Sequence, residues 1–466
     1  MIDIKNRRQC LGISVLCVLF LFLLTNIQFL SRDRFSRDLF KQQVKHNYLI
    51  VIGTEAQFES RRKLIRANYF GIQDNLKPIT LDHVKYQFLV YGGTPHSDTP
   101  ERRLFETEKM EFDDISLLPA EKSFNQDTVV KWLGKKEYDY VIIQDPHSFV
   151  DIHRLIQKIE TEPSVKQWGN LDQGVVVIGL NNGPINPLAT QLWENSIESV
   201  DTSYISIQHV YQDQDFTNLV QLYQVKPLSS LTGNQSIAVI TSSFIYDKCM
   251  EPSGTRASLN KRDYATRHGY AFVARSSEFA QQAMRPDQRR TVWGKIDAIQ
   301  KVLPKYEWLL WLDMDAVVMN QAQSVESLLH TLESYYNGTD FNEIDFIVVR
   351  PGTDKMINAG VFLIKNTAWS AQFLRDIQAR QEWYRQGPSY EQGAMWDVMR
   401  EEKYIRKTLF LDRQNHIFNT FPKFYEEGDF IVHFAPDKCP NAATLKGLAA
   451  ADKIKSGQKI TSAELI

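Results

Sequence analysis

Apolar runs alternate with amphipathic segments through most of the chain. The first series of runs is short and rich in β-branched and aromatic residues, at 48–53, 86–93, 138–145 and 174–180. A second series follows at 236–243, 270–275, 308–319, 345–350, 359–365 and 429–435. Segments with helical spacing of their apolar positions separate the runs, at 149–160, 255–268, 292–303, 369–386 and 391–402. This alternation predicts an α/β protein with largely parallel sheets that are covered by helices.

The polar stretch at 229–235 separates the two series of apolar runs. It predicts two α/β domains that join near residue 230, and one continuous domain is the alternative interpretation. The predicted boundaries give a first domain at 47–230, a second domain at 231–445 and a C-terminal tail at 446–466.

The longest apolar run, at 11–30, contains no charged side chain. About 20 helical residues are needed to cross the hydrocarbon layer of a membrane. A cleaved signal peptide has a shorter apolar region that ends at small residues, whereas this run ends near Asn26 and Gln28. We therefore predict an uncleaved transmembrane anchor. Basic residues before it favour a cytoplasmic tail at 1–10, which makes 31–46 a stem and the rest of the chain lumenal.

The composition, with 43% hydrophobic and 24% charged residues, is that of a globular protein. The net charge of −2 does not indicate nucleic-acid binding. Of the four cysteines, Cys10 lies at the edge of the predicted anchor and Cys17 lies within it, so Cys249 and Cys439 are the one lumenal pair. An oxidising compartment permits a disulfide between them, but the sequence leaves their separation open. Asn234 and Asn337 begin glycosylation sequons, which are meaningful only with a lumenal topology.

The most informative string is the run at 308–319, in which a charge-free apolar strand ends in Asp313 and Asp315. Ligands in open α/β sheets gather beyond the carboxyl ends of strands, and both carboxylates point to one side unless the chain turns there. Two carboxylates suit Mg²⁺ or Mn²⁺ and leave metal positions open for a diphosphate. His433, a polar residue in an apolar strand, is a candidate third ligand. The alternatives are a solvated loop that caps a helix and a hydrogen-bonded core histidine.

Other polar residues are candidates for sugar or phosphate contacts. Asn358 precedes Ala359 and Gly360, which permit close backbone approach, and its amide can donate to and accept from sugar hydroxyls. Glu391 and Gln392 open a helical segment, where they could bracket a reacting sugar carbon or only favour the start of the helix. The lysines that are candidates for phosphate contacts, or else solvated, are Lys261, Lys295 and Lys438.

Seven strings between residues 236 and 440 carry a family resemblance in collinear order. They are SIAVITSS, NKRDYATRHGY, VWGKIDAIQ, WLLWLDMDAVVMN, INAGVFLIKNTAWS, YEQGAMWDVM and IVHFAPDKC. Together they resemble the fungal and plant Golgi family of α-1,2-galactosyltransferases, α-1,6-mannosyltransferase complex subunits and xyloglucan xylosyltransferases. The resemblance implies a GT-A-like nucleotide-sugar-binding domain, a Mn²⁺ (or Mg²⁺) cofactor and transfer with retention of anomeric configuration.

The same resemblance implies roles for individual residues. The positions that match the family's metal ligands are Asp313, Asp315 and His433. The positions that match catalytic residues near the anomeric carbon are Asn358, Glu391 and Gln392. Those that match nucleotide or phosphate contacts are Thr241, Ser242, Lys295 and Lys438. One departure lies at 436–439, where Pro-Asp-Lys-Cys takes the place of the family's Gly and Cys after the histidine.

The first half of the chain has a fainter resemblance to β-1,3-galactosyltransferase-like domains. It rests on Arg62, Arg66, residues 112–117, Lys131, Trp132 and residues 138–151. In those domains the strand ends in consecutive aspartates, whereas this chain has Gln144, Asp145 and Pro146. One carboxylate cannot form that metal site, and Pro146 changes the local backbone. We therefore predict a degenerate glycosyltransferase-like domain that serves acceptor binding, partner contact or positioning.

The predicted function is that of a Golgi type II membrane protein, a metal-dependent and retaining hexosyltransferase with a lumenal catalytic part. The predicted donor is UDP-galactose or GDP-mannose, and the acceptor is an oligosaccharide or a glycoprotein. Other Golgi glycosyltransferase subunits are predicted partners, and nucleic acid is not. The alternatives are a non-catalytic subunit or glycan-binding module of a Golgi complex, and a nucleotide-sugar hydrolase or other metal-dependent phosphoryl enzyme.

Overall fold

The computed structural model describes residues 46–466, with short gaps at 77–78, 81–82, 135–137, 180–182, 229, 232–234, 286, 337, 339, 353, 388, 436–438 and 440. The predictions that lie outside the described residues concern the tail at 1–10, the anchor at 11–30, most of the stem at 31–46, Asn234, Asn337 and Lys438. Within the described part of the chain, no helix combines the length and the apolar character that crossing a bilayer requires.

Two mixed sheets form the framework, one in each half of the chain. The strands of the first half are β1 (Tyr48–Glu55), β2 (Ile79–Thr80), β3 (Val84–Tyr91), β4 (Ile115–Leu117), β5 (Tyr140–Gln144), β6 (Phe149–Val150), β7 (Gln167–Asn170), β8 (Val175–Gly179), β9 (Ile185–Asn186), β10 (Thr190–Leu192), β11 (Ser206–Gln208) and β12 (Ser230–Leu231). Those of the second half are β13 (Ile237–Ser242), β14 (Ala271–Arg275), β15 (Trp308–Leu312), β16 (Ala316–Val318), β17 (Phe346–Arg350), β18 (Val361–Lys365), β19 (Thr408–Asp412) and β20 (Ile431–His433).

Helices cover both sheets. They are α1 (Glu59–Ile65), α2 (Pro100–Phe112), α3 (Gln126–Leu133), α4 (Ile152–Thr161), α5 (Asp213–Leu222), α6 (Glu251–His268), α7 (Ser277–Ala283), α8 (Gly294–Val302), α9 (Val325–Glu333), α10 (Ala368–Gln378), α11 (Tyr390–Met399), α12 (Glu402–Ile405) and α13 (Asn441–Lys455). Local capping explains several starts: the Thr99 hydroxyl accepts from the Arg102 amide at 3.1 Å where Pro100 opens α2. The predicted α/β class is confirmed.

Most strands of each sheet run in the same direction, as predicted, and one strand in each sheet runs against the others. In the first sheet, of order β4-β3-β1-β5-β8-β7-β9, the four strands from β4 to β5 are parallel, but β8 is antiparallel to both β5 and β7. In the second sheet, of order β14-β13-β15-β18-β17-β19, the first three strands are parallel and β18 is antiparallel to both its neighbours. Strands buried on both faces have continuous apolar runs in either direction, so the pattern does not encode their orientation.

The predicted strand at 308–319 is two strands in different sheets. β15 lies in the centre of the six-stranded sheet, whereas β16 pairs with β20 in a separate two-stranded sheet. The chain turns between them: the Ala316 amide donates to the Asp313 carbonyl at 3.0 Å, and the Asp313 amide donates to the Gly360 carbonyl at 2.7 Å. Asp313 and Asp315 therefore lie in a turn that leaves the carboxyl end of β15.

The segment after β20 contains α13, which packs on α6 and β16. Val317 and Val432 of the small sheet form a hydrophobic cluster with Leu448 and Ala451 of this helix. The predicted start of a C-terminal tail, at 446, falls inside α13. The helix thus covers the back of the small sheet that carries His433.

Polar contacts join the two halves of the chain along α2 and α6. The Met110 carbonyl accepts from the Ser258 hydroxyl at 3.2 Å and from the Arg262 guanidinium at 2.9 Å. The Thr107 hydroxyl donates to the Ser243 carbonyl at 3.0 Å, just beyond β13. The predicted division near residue 230 stays a prediction. The hydrogen bonds show that α2 of the first half contacts α6 and the loop after β13 of the second half.

Cys249 and Cys439 form a disulfide across a sequence separation of 190 residues. It joins the segment after β13 to the segment after β20. Because such a bond restricts the unfolded chain, we expect the double variant Cys249→Ser/Cys439→Ser to lose about 2–4 kcal/mol of unfolding free energy. Chemical denaturation without reductant measures this loss. Dithiothreitol should destabilise the native protein to a similar extent and leave the variant unchanged, and an unaltered midpoint in reductant would contradict the prediction.

A buried ion-pair network holds the start of α7. Glu278 lies 2.7 Å from Arg275 and 2.8 Å from Lys301. Burial alone would raise the pKa of Glu278, but hydrogen bonds from Arg275 and Lys301 lower it to about 2. A carboxylate with a depressed pKa stabilises the fold above its unfolded-state pKa, near 4.5, and this contribution is lost as the pH falls towards 2.

Replacement of Glu278 by Gln therefore has a pH-dependent expected effect. We expect a loss of about 2 kcal/mol of unfolding free energy at pH 7 and a smaller loss at pH 3. Urea unfolding at both pH values measures the difference. The exposed Glu402→Gln is the matched control and should change little at either pH. An equal loss from Glu278→Gln at both pH values would exclude the ion pairs as its cause.

Candidate active site

Two aspartates and a histidine meet at the carboxyl end of β15. One potential ligand atom from each of Asp313, Asp315 and His433 lies within 4.8 Å of the others. β20 brings the histidine there, because His433 pairs with Ala316 in the register of the small sheet. Gly360 lies against the imidazole, and a Cβ at this position would overlap with the ring. The structure therefore brings together the three residues that the sequence singled out as metal ligands.

The histidine and one aspartate form a buried pair, with His433 Nε2 3.2 Å from Asp315 Oδ1. Burial alone would raise the pKa of Asp315, but the imidazole lowers it below its ordinary value. Burial alone would lower the pKa of His433, but the Asp315 carboxylate raises it. The second ring nitrogen, Nδ1, is buried and has no hydrogen-bond partner among the described residues. Each group of the pair thus favours the charged form of the other.

Lys295, in the first turn of α8, lies beside this group and is 5% exposed. Its ammonium is 3.0 Å from a carboxylate oxygen of Asp313 and 3.0 Å from one of Glu391, and it donates to the Ala359 carbonyl at 3.0 Å. Burial alone would lower the pKa of Lys295, but the two carboxylates raise it above its ordinary value. Burial raises the pKa of Glu391 despite the opposing effect of Lys295. One lysine therefore links the aspartate turn to the start of α11.

The amide side chains of the site are also ordered by hydrogen bonds. Gln392 accepts from the Ala359 amide at 2.8 Å, which fixes α11 against the loop before β18. Asn358 is buried, and its side-chain oxygen accepts from the Gly360 amide at 3.0 Å and from Asn419 at 3.1 Å. The predicted sugar-site residues thus surround the same short loop.

The other predicted contact residues lie around this centre. Lys261 is fully buried and donates to the Met314 carbonyl at 3.1 Å, so it supports the aspartate turn from α6. Burial lowers the pKa of Lys261 to about 7. Thr241 and Ser242 end β13 beside β15; the Thr241 hydroxyl is buried without a partner among the described residues, and the Ser242 hydroxyl accepts from the Phe244 amide at 3.2 Å.

Four residues near the site were not predicted. Trp311 donates from its indole nitrogen to Asp313 at 2.7 Å, and its place two residues before the aspartate was a usable signal. Burial, and next the carboxylates of Asp315 and Asp313, raise the pKa of Tyr246 in the loop after β13. Asn419 bonds Asn358, and Asp354 also interacts with this amide. No local motif marks the last three.

The donor set fits a divalent cation. Two carboxylates and one imidazole suit Mn²⁺ better than Mg²⁺, since Mg²⁺ prefers oxygen ligands alone. The buried, unpartnered nitrogen of His433 supports this interpretation, because an unsatisfied polar atom in a packed site is unfavourable. Among the described residues, this is the one group of three potential ligands. A cation held there can neutralise a phosphorylated ligand, and the amides of Asn358 and Gln392 lie around the neighbouring loop.

Comparison with known proteins places this site within a defined segment. Residues 234–445 match the galactosyl transferase GMA12/MNN10 family. An uncharacterised alpha-1,2-galactosyltransferase of Schizosaccharomyces pombe is 29% identical over an alignment of 209 residues, which covers 38% of this chain and 54% of that protein. The probable alpha-1,6-mannosyltransferase MNN10 of Saccharomyces cerevisiae is 28% identical over an alignment of 216 residues, which covers 38% of this chain and 53% of that protein.

The chain thus spans about half the length of the curated relatives it matches. Among solved structures, a glycosyltransferase involved in the glycosylation of the major capsid of PBCV-1 aligns with 46% of this chain and 98% of its own. It is 18% identical to this chain, with a TM-score of 0.32. The resemblance predicted from the seven strings is confirmed by the match of residues 234–445 to the galactosyl transferase GMA12/MNN10 family.

Proposed function

We propose that this protein is a metal-dependent glycosyltransferase that moves a hexosyl unit from a nucleotide sugar to a glycan hydroxyl with retention of configuration. The observation that carries the proposal is the convergence of Asp313, Asp315 and His433 beside Lys295 at the carboxyl end of β15. This convergence lies inside the segment that matches a galactosyl transferase family. The proposed fold of this segment is GT-A-like.

The three ligands would hold a divalent cation, with Mn²⁺ preferred over Mg²⁺. When bound, the cation supplies positive charge that offsets the negative charge of the departing diphosphate. Lys295 forms ion pairs with both Asp313 and Glu391. We therefore propose that its main role is to hold these two carboxylates side by side. Lys261 fixes the turn through the Met314 carbonyl. Phosphate contacts by Lys295, Lys261 and Lys438 stay predictions.

The buried amide of Asn358 and the half-buried amide of Gln392 would orient the donor sugar. Asn358 and Gln392 flank the loop that faces Lys295, and Glu391 lies within the same hydrogen-bonded group. Glu391 is a candidate nucleophile, but its ion pair with Lys295 reduces its nucleophilicity. We therefore favour attack on the face that the leaving group vacates. The bond from the anomeric carbon to phosphate oxygen breaks, the bond to the acceptor oxygen forms, and the acceptor proton passes to the departing phosphate.

The proposed donor is UDP-galactose or GDP-mannose, since the relatives are named as galactosyl- and mannosyltransferases. The proposed location is the Golgi membrane in a type II orientation, with oligosaccharide or glycoprotein acceptors and partner subunits. The apolar run at 11–30 supports a membrane anchor. The disulfide between Cys249 and Cys439 supports an oxidising, lumenal environment for the catalytic part.

A panel of UDP- and GDP-sugars tests the proposal. Release of the nucleoside diphosphate is measured with Mn²⁺ and with EDTA, each with and without a neutral oligosaccharide acceptor. We expect one donor to be turned over only with the metal and faster with acceptor. Turnover that ignores the acceptor would identify a hydrolase. Donor binding without any turnover would identify a non-catalytic subunit, and either result overturns the proposal. A glycosyl adduct on Glu391, detected by mass spectrometry, would overturn the front-face mechanism.

A further inference from the structure

A cavity of about 540 Å³ opens in the first half of the chain and is lined by residues of that half alone. Its walls come from the start of α3, the turn after β5, the turn before β8 and the segment after β11. It therefore lies at the carboxyl end of a parallel strand, where α/β sheets commonly bind ligands. Its volume is in the range of small-molecule sites. The cavity includes Asp145, the single carboxylate that follows β5.

The lining chemistry differs from that of the aspartate–histidine site. Asp127, Asp145 and Asp172 contribute three carboxylates, and no lysine or arginine belongs to the described lining. Burial lowers the pKa of His147, so this imidazole does not supply a cation at neutral pH either. A phosphate or nucleotide needs cationic partners, which are lacking here. Carboxylates, amides and the neutral imidazole of His147 instead match the donors and acceptors of uncharged hydroxyl groups.

An exposed aromatic ring completes the cavity. Tyr211 is 59% exposed, and its ring centroid lies 4.8 Å from that of His147 and 5.9 Å from that of His209. The imidazoles support the ring from within the wall, so that it presents a fixed surface. An aromatic face packs against the apolar C–H face of a hexose, while the hydroxyls of the hexose meet the polar lining.

The walls are held in place before any ligand binds. Arg61 donates to the carbonyls of Pro146 at 3.4 Å, Val210 at 3.0 Å and Tyr211 at 3.2 Å, which ties the turn after β5 to the segment after β11. His209 has a left-handed backbone with φ of 63°, which is unfavourable for a residue with a side chain and typical of functional sites. The cavity is therefore pre-organised.

The cavity lacks the set of ligands that a metal needs. Within the described part of the chain, the one group of three potential metal ligands is at Asp313, Asp315 and His433. Asp145 accepts from the His147 amide at 2.9 Å and from the Ser148 hydroxyl at 3.4 Å, both at Oδ1. Its Oδ2 has no hydrogen bond among the described residues and can accept from a ligand hydroxyl. The cavity is equipped for binding and not for transfer.

We infer that this cavity is a second carbohydrate site, which binds a neutral hexose-containing glycan without metal or nucleotide. Asp145 and the neighbouring amides accept and donate hydrogen bonds to the sugar hydroxyls, and Tyr211 stacks on the ring. The inference does not depend on the proposed transfer reaction. It gives the degenerate half of the chain a function of its own, as a glycan-binding module.

Direct binding tests the inference on the full-length chain, kept in a detergent that carries no sugar headgroup. The probes are mannotriose, galactobiose and cellobiose, with mannose 6-phosphate, UDP and Mg²⁺ for comparison, all titrated in EDTA-containing buffer except Mg²⁺. Calorimetry and saturation-transfer NMR measure affinity. We expect at least one neutral saccharide to bind, and mannose 6-phosphate, UDP and Mg²⁺ to bind at least tenfold more weakly at this site.

Four variants locate the binding. Tyr211→Ala removes an exposed ring, and Asp145→Asn preserves shape, so neither requires refolding of the core; each should weaken the saccharide at least tenfold. Tyr335→Ala, which removes an exposed tyrosine elsewhere, and Asp315→Asn, in the proposed transfer site, should bind as the native chain does. The inference would be overturned if no neutral saccharide bound, or if a charged probe bound more tightly than the saccharide to the Asp315→Asn variant, in which the proposed metal site is impaired. It would also be overturned if Tyr211→Ala and Asp145→Asn bound the saccharide as tightly as the native chain does, or if Asp315→Asn lost this binding. Binding without transfer activity would leave it standing and remove only the proposed function.

Discussion

Replacement of Asp315 by Asn is expected to abolish metal-dependent sugar transfer, with a loss of about a thousandfold or more in kcat/KM. The substitution keeps the size of the side chain but removes a charge that pairs with His433 and would bind the cation. A loss of this size corresponds to about 4 kcal/mol of transition-state stabilisation, which is the order that a bound metal contributes. Transfer measured over a range of Mn²⁺ concentrations, with thermal unfolding in parallel, gives both the rate and the integrity of the fold.

The metal dependence separates this effect from general damage. Asp452→Asn, an exposed aspartate on α13, should retain the native rate. Removal of metal from the native protein with EDTA should reproduce the loss, and Mn²⁺ should restore activity more completely than Mg²⁺. A folded Asp315→Asn protein that keeps more than a tenth of the Mn²⁺-stimulated rate would show that this carboxylate is not a ligand.

Most strands of the second half were located correctly from the sequence, because these strands are buried on both faces. Each therefore has a continuous apolar run that contrasts with the polar turns around it, as at β13 and β18. The abrupt change from Leu312 to Asp313 marked the end of β15 for the same reason. The family resemblance, now confirmed for residues 234–445, rests on those same apolar and polar boundaries.

The features that the sequence did not yield depend on long-range contacts. The turn between β15 and β16 is fixed by a hydrogen bond from the Asp313 amide to the Gly360 carbonyl, which is 47 residues later in the sequence. The antiparallel direction of β18 follows from its pairing with β15. β19, at residues 408–412, was missed because its apolar run is short. The ion pairs of Lys295 were not predicted, because a lysine in the first turn of a helix is usually exposed to solvent, and the sequence does not show that this one is buried.

Replacement of Lys295 by Met is expected to destabilise the protein by about 3–5 kcal/mol and to reduce transfer at least a hundredfold. Met has a similar length but leaves Asp313 and Glu391 without the buried cation that lies 3.0 Å from each. Breaking a buried ion pair at one partner has a cost of this order because a charge stays buried and uncompensated. Urea unfolding measures the stability, and steady-state transfer measures the rate. Lys305→Met is the matched control, because Lys305 is exposed and lies three residues after the end of α8.

The double variant Lys295→Met/Glu391→Gln distinguishes an electrostatic cause from a packing cause. If the loss arises from the unpaired Glu391 carboxylate, removal of that charge should restore part of the stability, because neutral replacements of both partners are often tolerated. Transfer should stay low, since the proposed sugar site loses both groups. Additive destabilisation in the double variant would instead show that Lys295 acts by filling space. The proposed role of this lysine, to hold the carboxylate of the turn after β15 beside that of α11, would then have to be abandoned.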